Sequence, residues 1–189
     1  MASWIRNVFN RLWGTPARPS PREAYLAMRA ITLGTPRAAK FQIATPPADA
    51  PAWGVVMDMG LPPGPATIMV LVDGSASLYM GHGGGVIGAN TLDGMPLAAA
   101  EFVAAANRCM GTLRPGHDLS LPAVGHTVLH VLTENGILSG GGPESELSDD
   151  LHPLSPLFYA GHDVLGILLD YYETCERPPE PVFFTPNRP

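Results

Sequence analysis

Two cysteines, Cys109 and Cys175, are all that 189 residues offer, so the chain has no disulfide framework. It does not need one, because a chain of this length buries roughly two-thirds of the surface that its unfolded form exposes. Long apolar runs are missing too. The densest, Ala66 to Val72, is seven residues long, against the roughly 18 that a membrane-spanning helix requires. Near the N-terminus Arg6, Asn7, Asn10 and Arg11 interrupt the apolar residues, where a secretory signal needs an unbroken stretch of roughly 7–15 behind a basic start. Together these absences predict a cytoplasmic, water-soluble protein. Charge is sparse, at 15% of residues. Neither a Gly-x-Ser-x-Gly nucleophile motif nor a phosphate-loop Gly-Lys-Ser/Thr occurs.

The chain does have a hydrophobic share of 46%, with 21 glycines and 21 prolines, about twice the average usage of those two residues and the mark of a turn-rich globular domain. Its charges are unevenly placed. Up to Lys40 there are seven cations against one anion, Glu23, a net +6; from Phe41 onward four cations face sixteen anions, a net −12. An acidic body repels a phosphate backbone, so nucleic-acid binding is not expected, and the basic segment must find its acid on a partner, a membrane surface or its own body.

Trp4, Ile5, Val8, Phe9, Leu12 and Trp13 recur at the spacing of one helical face, with Arg6, Asn7, Asn10 and Arg11 on the other. This makes residues 1–19 a basic amphipathic arm and its apolar face a candidate partner-binding surface. A second helix announces itself by Ser20 as N-cap, Pro21 at the first position, Glu23 completing a capping box and Gly34 beyond the end, with Ala24, Ala27, Met28 and Ile31 as its apolar stripe. Residues 35–52 read as a Pro/Ala-rich connector in which Phe41 and Ile43 suit a short edge strand.

From Trp53 the period turns extended. Strands are expected over Trp53–Met59, Ala66–Val72 and Ser75–Met80, with Asp73-Gly74 as a hairpin turn and Ser75, Ser77 and Tyr79 on a wetter face. A glycine-rich loop, a helix over Met95–Met110, a strand over Gly125–Thr133 and an Asn135-Gly136 turn into Ile137 and Leu138 follow. Ser139–Pro153 reads as a solvated acidic loop, and a last helix, capped by Ser155 and opened by Pro156, buries Phe158, Gly161, Leu165, Leu168 and Tyr172. The predicted fold is α+β: a mainly antiparallel sheet of about five strands, meander plus hairpin, covered by helices, in one domain over residues 20–176 with a Pro-rich tail over 177–189. The order of elements resembles the profilin, longin and roadblock class of small sandwiches, a likeness of architecture only.

The loop from Gly81 to Asn90 carries two motif look-alikes. Gly81-His82-Gly83-Gly84-Gly85 resembles the oxyanion-hole loop of lipases and esterases, but the nucleophile elbow such an enzyme needs is missing. Gly83-Gly84-Gly85-Val86-Ile87-Gly88 fits a dinucleotide fingerprint, yet the helix whose N-terminus would hold a pyrophosphate starts only near Met95. His82, Gly83, Gly84, Gly85 and Asn90 are therefore kept as ligand-loop candidates. His126 and His130 share a strand face at ~13 Å, too far apart for one metal ion, and read as core-edge histidines with hydrogen-bonded rings. Asp58, an acid inside an apolar strand, is the one carboxylate whose position is unusual. The cysteines read as small buried or half-buried side chains, and neither a cofactor nor a metal is expected.

These readings favour a non-enzymatic interaction or regulatory module. Its amphipathic arm would meet a protein partner or its own acidic body, with peripheral membrane contact as a further option. The alternative is a small hydrolase or ligand-binding protein using residues 81–90; that reading requires a pocket where His82, Asn90 and a carboxylate converge.

Overall fold

A computed structural model of the chain describes residues 19–34 and 43–174. The arm with Trp4, Ile5, Val8, Phe9, Leu12 and Trp13, Phe41 of the connector, Cys175 and the Pro-rich tail lie outside the described residues.

Helix α1 spans Pro21–Leu33 and starts as its punctuation predicts: Glu23 N–H donates to Ser20 Oγ at 3.3 Å, and the Glu23 carboxylate accepts the Ser20 N–H at 2.7 Å. Its buried face is not the predicted stripe. Tyr25, Arg29, Thr32 and Leu33 point inward, while Ala27 is exposed and Ile31 is 54% exposed. The helix is rotated by about one residue from the face that apolarity selects, because Arg29 on the face it buries bonds a charge in the sheet below.

Seven strands, β1 (Gly54–Met59), β2 (Ala66–Leu71), β3 (Ala76–Met80), β4 (Gly85–Ile87), β5 (Arg114–Pro115), β6 (His126–Thr133) and β7 (Gly136–Pro143), form one antiparallel sheet in the order β4-β3-β2-β1-β6-β7-β5. The five expected strands are all present, and the count rises to seven through two short edge strands. Val86 pairs with Leu78, so β4 lies inside what reads as a glycine loop, and Arg114 pairs with Ser139. Both predicted hairpins are antiparallel. Leu71 N–H donates to Ser75 O at 2.8 Å, leaving Val72, Asp73 and Gly74 as a three-residue loop with Gly74 at φ +85, a backbone that favours glycine. Thr133 pairs with Gly136, so the second turn is centred one residue earlier than expected, on Glu134 and Asn135.

β7 corrects the reading of Ser139–Pro153 as a solvated loop. Ser139 to Pro143 continue the strand, and a short helix α3 (Glu144–Leu147) follows, in which Glu144 accepts a bond from Thr127 Oγ1 at 3.0 Å. Helices α2 (Met95–Cys109) and α4 (Ser155–Thr174) cover one sheet face, packing Phe102, Leu157 and Leu168 on Val55, Met57, Ile68 and Leu129. Contact there is close: a Cβ on Gly161 would stand 2.7 Å from Met57 Sδ and 3.1 Å from the Phe102 ring. Leu165 and Tyr172 are only partly buried. The Ser155 hydroxyl donates to Leu147 O at 2.8 Å and to Asp149 O, tying down the preceding loop instead of capping the helix.

The second face is covered by α1, which packs Tyr25 and Leu33 with Trp53, Val56, Met69, Tyr79 and Leu132. Ser77 and Tyr79 are 3% and 6% exposed, so this face is not the wet one that alternation suggests. Ile43 is buried in irregular chain and forms no strand.

Candidate functional site

Asp58 is the next-to-last residue of β1, the central strand, on the face beneath α1, and its side chain is fully buried. An ionised carboxylate there needs a counter-charge and bonds to both oxygens. Arg29, one turn after Tyr25 on α1, donates Nε and Nη2 to Oδ2 at 2.9 and 2.6 Å, and its Nη2 also reaches Ser120 O at 3.5 Å. Thr67, directly opposite on β2, donates its hydroxyl to Oδ1 at 2.5 Å. With that hydrogen committed, the 2.9 Å contact between Tyr25 Oη and Thr67 Oγ1 makes the tyrosine the donor.

On the other side, His130 Nε2 lies 3.2 Å from Asp58 Oδ2, and its Nδ1 lies 2.7 Å from Ser139 Oγ, the residue paired with it on β7. A carboxylate only accepts, so Nε2 carries the proton, and in the neutral ring Nδ1 accepts from the serine hydroxyl. The chain Tyr25–Thr67–Asp58–His130–Ser139 therefore crosses strands β2, β1, β6 and β7, with α1 supplying its outer tyrosine and its arginine. Burial alone would push the Asp58 carboxyl up. The bonds from His130, Arg29 and Thr67, with the Arg29 charge, outweigh it and hold the pKa below the ordinary 3.8. Burial raises the Tyr25 phenol against the opposing Thr67 bond, so the hydroxyl stays protonated and keeps its donor role.

The sequence flags Asp58 and reads His126 and His130 as core-edge histidines with hydrogen-bonded rings; the ring of His130 is bonded at both nitrogens but lies fully buried instead of at the edge, and His126 is exposed. It misses Tyr25, Arg29, Thr67 and Ser139. An arginine and a tyrosine four apart on a helix carry no sign that they face inward, and a threonine on a strand is ordinary. The one available signal was Asp58 itself, since a charge inside an apolar strand requires a partner that some helix must bring.

The ligand-loop candidates form a different region. Gly83 (φ +106) and Gly84 (φ +88) make the β3–β4 turn, where a Cβ would meet Pro21 at 3.0 Å and the Tyr172 hydroxyl at 2.5 Å respectively. Gly85 begins β4, and His82 and Asn90 are exposed. His82 lines an apolar depression of about 110 Å³, walled by the 61–65 turn, by Leu78 and Met80 of β3, and by Leu165 and Leu169 of α4. Neither Asn90 nor a carboxylate lines it. The Cys109 thiol is pushed up by burial and donates to Pro153 O at 3.6 Å, which suits a packing role.

No helix among the described residues is long and apolar enough to cross a membrane. Set beside protein-family models, curated proteins and solved structures, the chain matches none of them.

Proposed function

We propose that this protein is a non-enzymatic interaction module of the cytoplasm, whose body takes an apolar side chain of a protein partner at the depression between the 61–65 turn and α4. The observation that carries this reading is the chemistry of the depression: ten of its eleven lining residues are apolar or glycine, and His82 is the exception. A surface of that kind rewards burial of hydrocarbon and offers little for bond making or breaking. Its size selects the ligand. A cavity of roughly 150 Å³ takes a benzene ring, so about 110 Å³ in a depression open to solvent seats only the leading part of one bulky apolar side chain, and not a whole helix. Beside it on α4 stand the exposed carboxylates Asp170 and Glu173 and no cation, so the fitting partner carries an apolar anchor flanked by basic residues. The likeness to profilin, longin and roadblock sandwiches is part of this proposal as an analogy of layers, and it contributes no activity of its own.

The test is affinity capture from the native cytoplasm with the full chain and with its Leu169→Asp variant. A near-stoichiometric partner recovered by the first and lost by the second is the expected result. Identical recoveries overturn the reading.

A second reading has one observation in its favour. The Ser139–His130–Asp58 chain has the connectivity of a nucleophile, a base and an orienting acid, which would make Ser139 an acyl-transfer nucleophile. Against it, Arg29 already neutralises Asp58. A Cβ on Gly116 would come within 2.3 Å of Ser139 Oγ, so backbone crowds the path that a substrate carbonyl needs. Labelling of Ser139 by a fluorophosphonate, abolished in His130→Ala, would decide for this reading and against the first.

A further inference from the structure

The described residues begin beside the apolar depression. Pro21, at the start of α1, stands against Gly83, the neighbour of His82 in the depression wall. Residues 1–18 are thus tethered at its rim. They contain Arg6, Arg11 and Arg18, no acid, and the apolar series Trp4, Ile5, Val8, Phe9, Leu12 and Trp13. This is the composition that the depression and the Asp170 and Glu173 side of α4 would select: one bulky apolar anchor among cations. A segment of the same chain also reaches the site at an effective concentration that an untethered partner of equal affinity does not match.

We propose that the arm occupies the depression of its own body, with Trp13 as the anchor, so that a partner must displace it. From Trp13 to Pro19 is six residues, up to roughly 20 Å of extended chain, which spans the short way from the Gly83 contact to the lining residues. Leu165 and Leu169, four apart on α4, form one wall, and Met80 of β3 forms another. The inference rests on the reading of the depression as a site for apolar anchors, but it needs no external partner.

Photo-cross-linking in the full chain at low concentration tests it, with benzoylphenylalanine in place of Trp13. Cross-links within one chain to Met80, Leu165, Leu169 or the 61–65 turn are expected, with a yield at least fivefold lower in Leu169→Asp. Should that variant not fold, benzoylphenylalanine placed at residue 169 must cross-link back to residues 1–18 in the same chain. Cross-links that fall elsewhere on the body, or that join two chains, overturn the proposal. So do cross-links to the depression made only by benzoylphenylalanine in place of Phe183, since the tail is then the occupant. Intrachain cross-links without any captured partner would refute the interaction function alone. A captured partner without them would refute the tethered arm alone.

Discussion

Under α2 and α4 the sheet presents Val55, Met57, Ile68, Val70 and Leu129, and the helices answer with Phe102, Leu157 and Leu168. Under α1 the same strands present Val56, Asp58, Thr67 and His130, and the helix answers with Tyr25, Arg29 and Leu33. The first interface is held by area and fit, which are non-directional. The second adds bonds of fixed geometry to a buried charge, so that α1 is held at one rotation and one register on the sheet. Apolar packing tolerates a helix turned by a few tens of degrees if volumes still match, whereas Arg29 bonds Asp58 from one orientation only.

The sharpest way to break this contrast is Arg29→Ala. It leaves Asp58 buried without its cation, and the loss is expected at about 3–5 kcal/mol in urea denaturation. Making the second face resemble the first, with Arg29→Met and Asp58→Leu together, should recover most of that loss, since a buried ion pair replaced by apolar residues is often close to neutral. A double variant as unstable as the single one would show that the neighbours Thr67 and His130 depend on the charge as much as it depends on them.

The same carboxylate supplies a pH signature that the all-apolar face lacks. Because the folded pKa of Asp58 lies below its ordinary 3.8, its contribution to stability is complete above that value and is lost as pH falls through the folded one. Urea midpoints measured from pH 5 downward should therefore drop more steeply in the parent chain than in Asp58→Asn. Equal slopes would mean that the network does not favour the ionised form.

On the apolar face, Gly161→Val forces a methyl-bearing carbon against Met57 and Phe102, and a loss of about 1–3 kcal/mol is expected from overpacking. Thermal denaturation measures it, and an unchanged midpoint would show that this interface is looser than the contact distances imply. The smallest effect belongs to the end of the polar chain. Tyr25→Phe removes the donor to Thr67 but keeps the ring, and about 0.5–1.5 kcal/mol should be lost by the same assay.

How much of this was legible beforehand follows from what kind of information each feature uses. The capping box at Ser20 and Glu23, the helix over Met95–Cys109, the buried run of β2 and the two hairpins are local: each depends on a few adjacent residues and on backbone preferences that do not wait for the rest of the chain. The two short edge strands escaped. A three-residue and a two-residue strand carry no period, and they exist because β3 and β7 offer them bonding edges. Ser139 to Pro143 escaped because glycine and proline ordinarily mark turns, and only pairing with His126 to His130 of β6 keeps them extended.

The face of α1 shows the limit most plainly. Ala24, Ala27, Met28 and Ile31 make a regular apolar stripe, and by itself that periodicity places them inward. What turned the helix was Asp58, 29 residues away from Arg29 in sequence, whose charge could not be buried without that arginine. The sequence by itself determined the α+β class, the starts of α1, α2 and α4 and the hairpin order, because propensity, capping and turn chemistry act over a few residues. Only the tertiary structure decided which face α1 buries, that Tyr25, Thr67, Asp58, His130 and Ser139 form one bonded chain, and that Pro21 meets Gly83 beside an apolar depression. Those contacts join residues that are distant in sequence, and they are stable only when the whole sheet is in register.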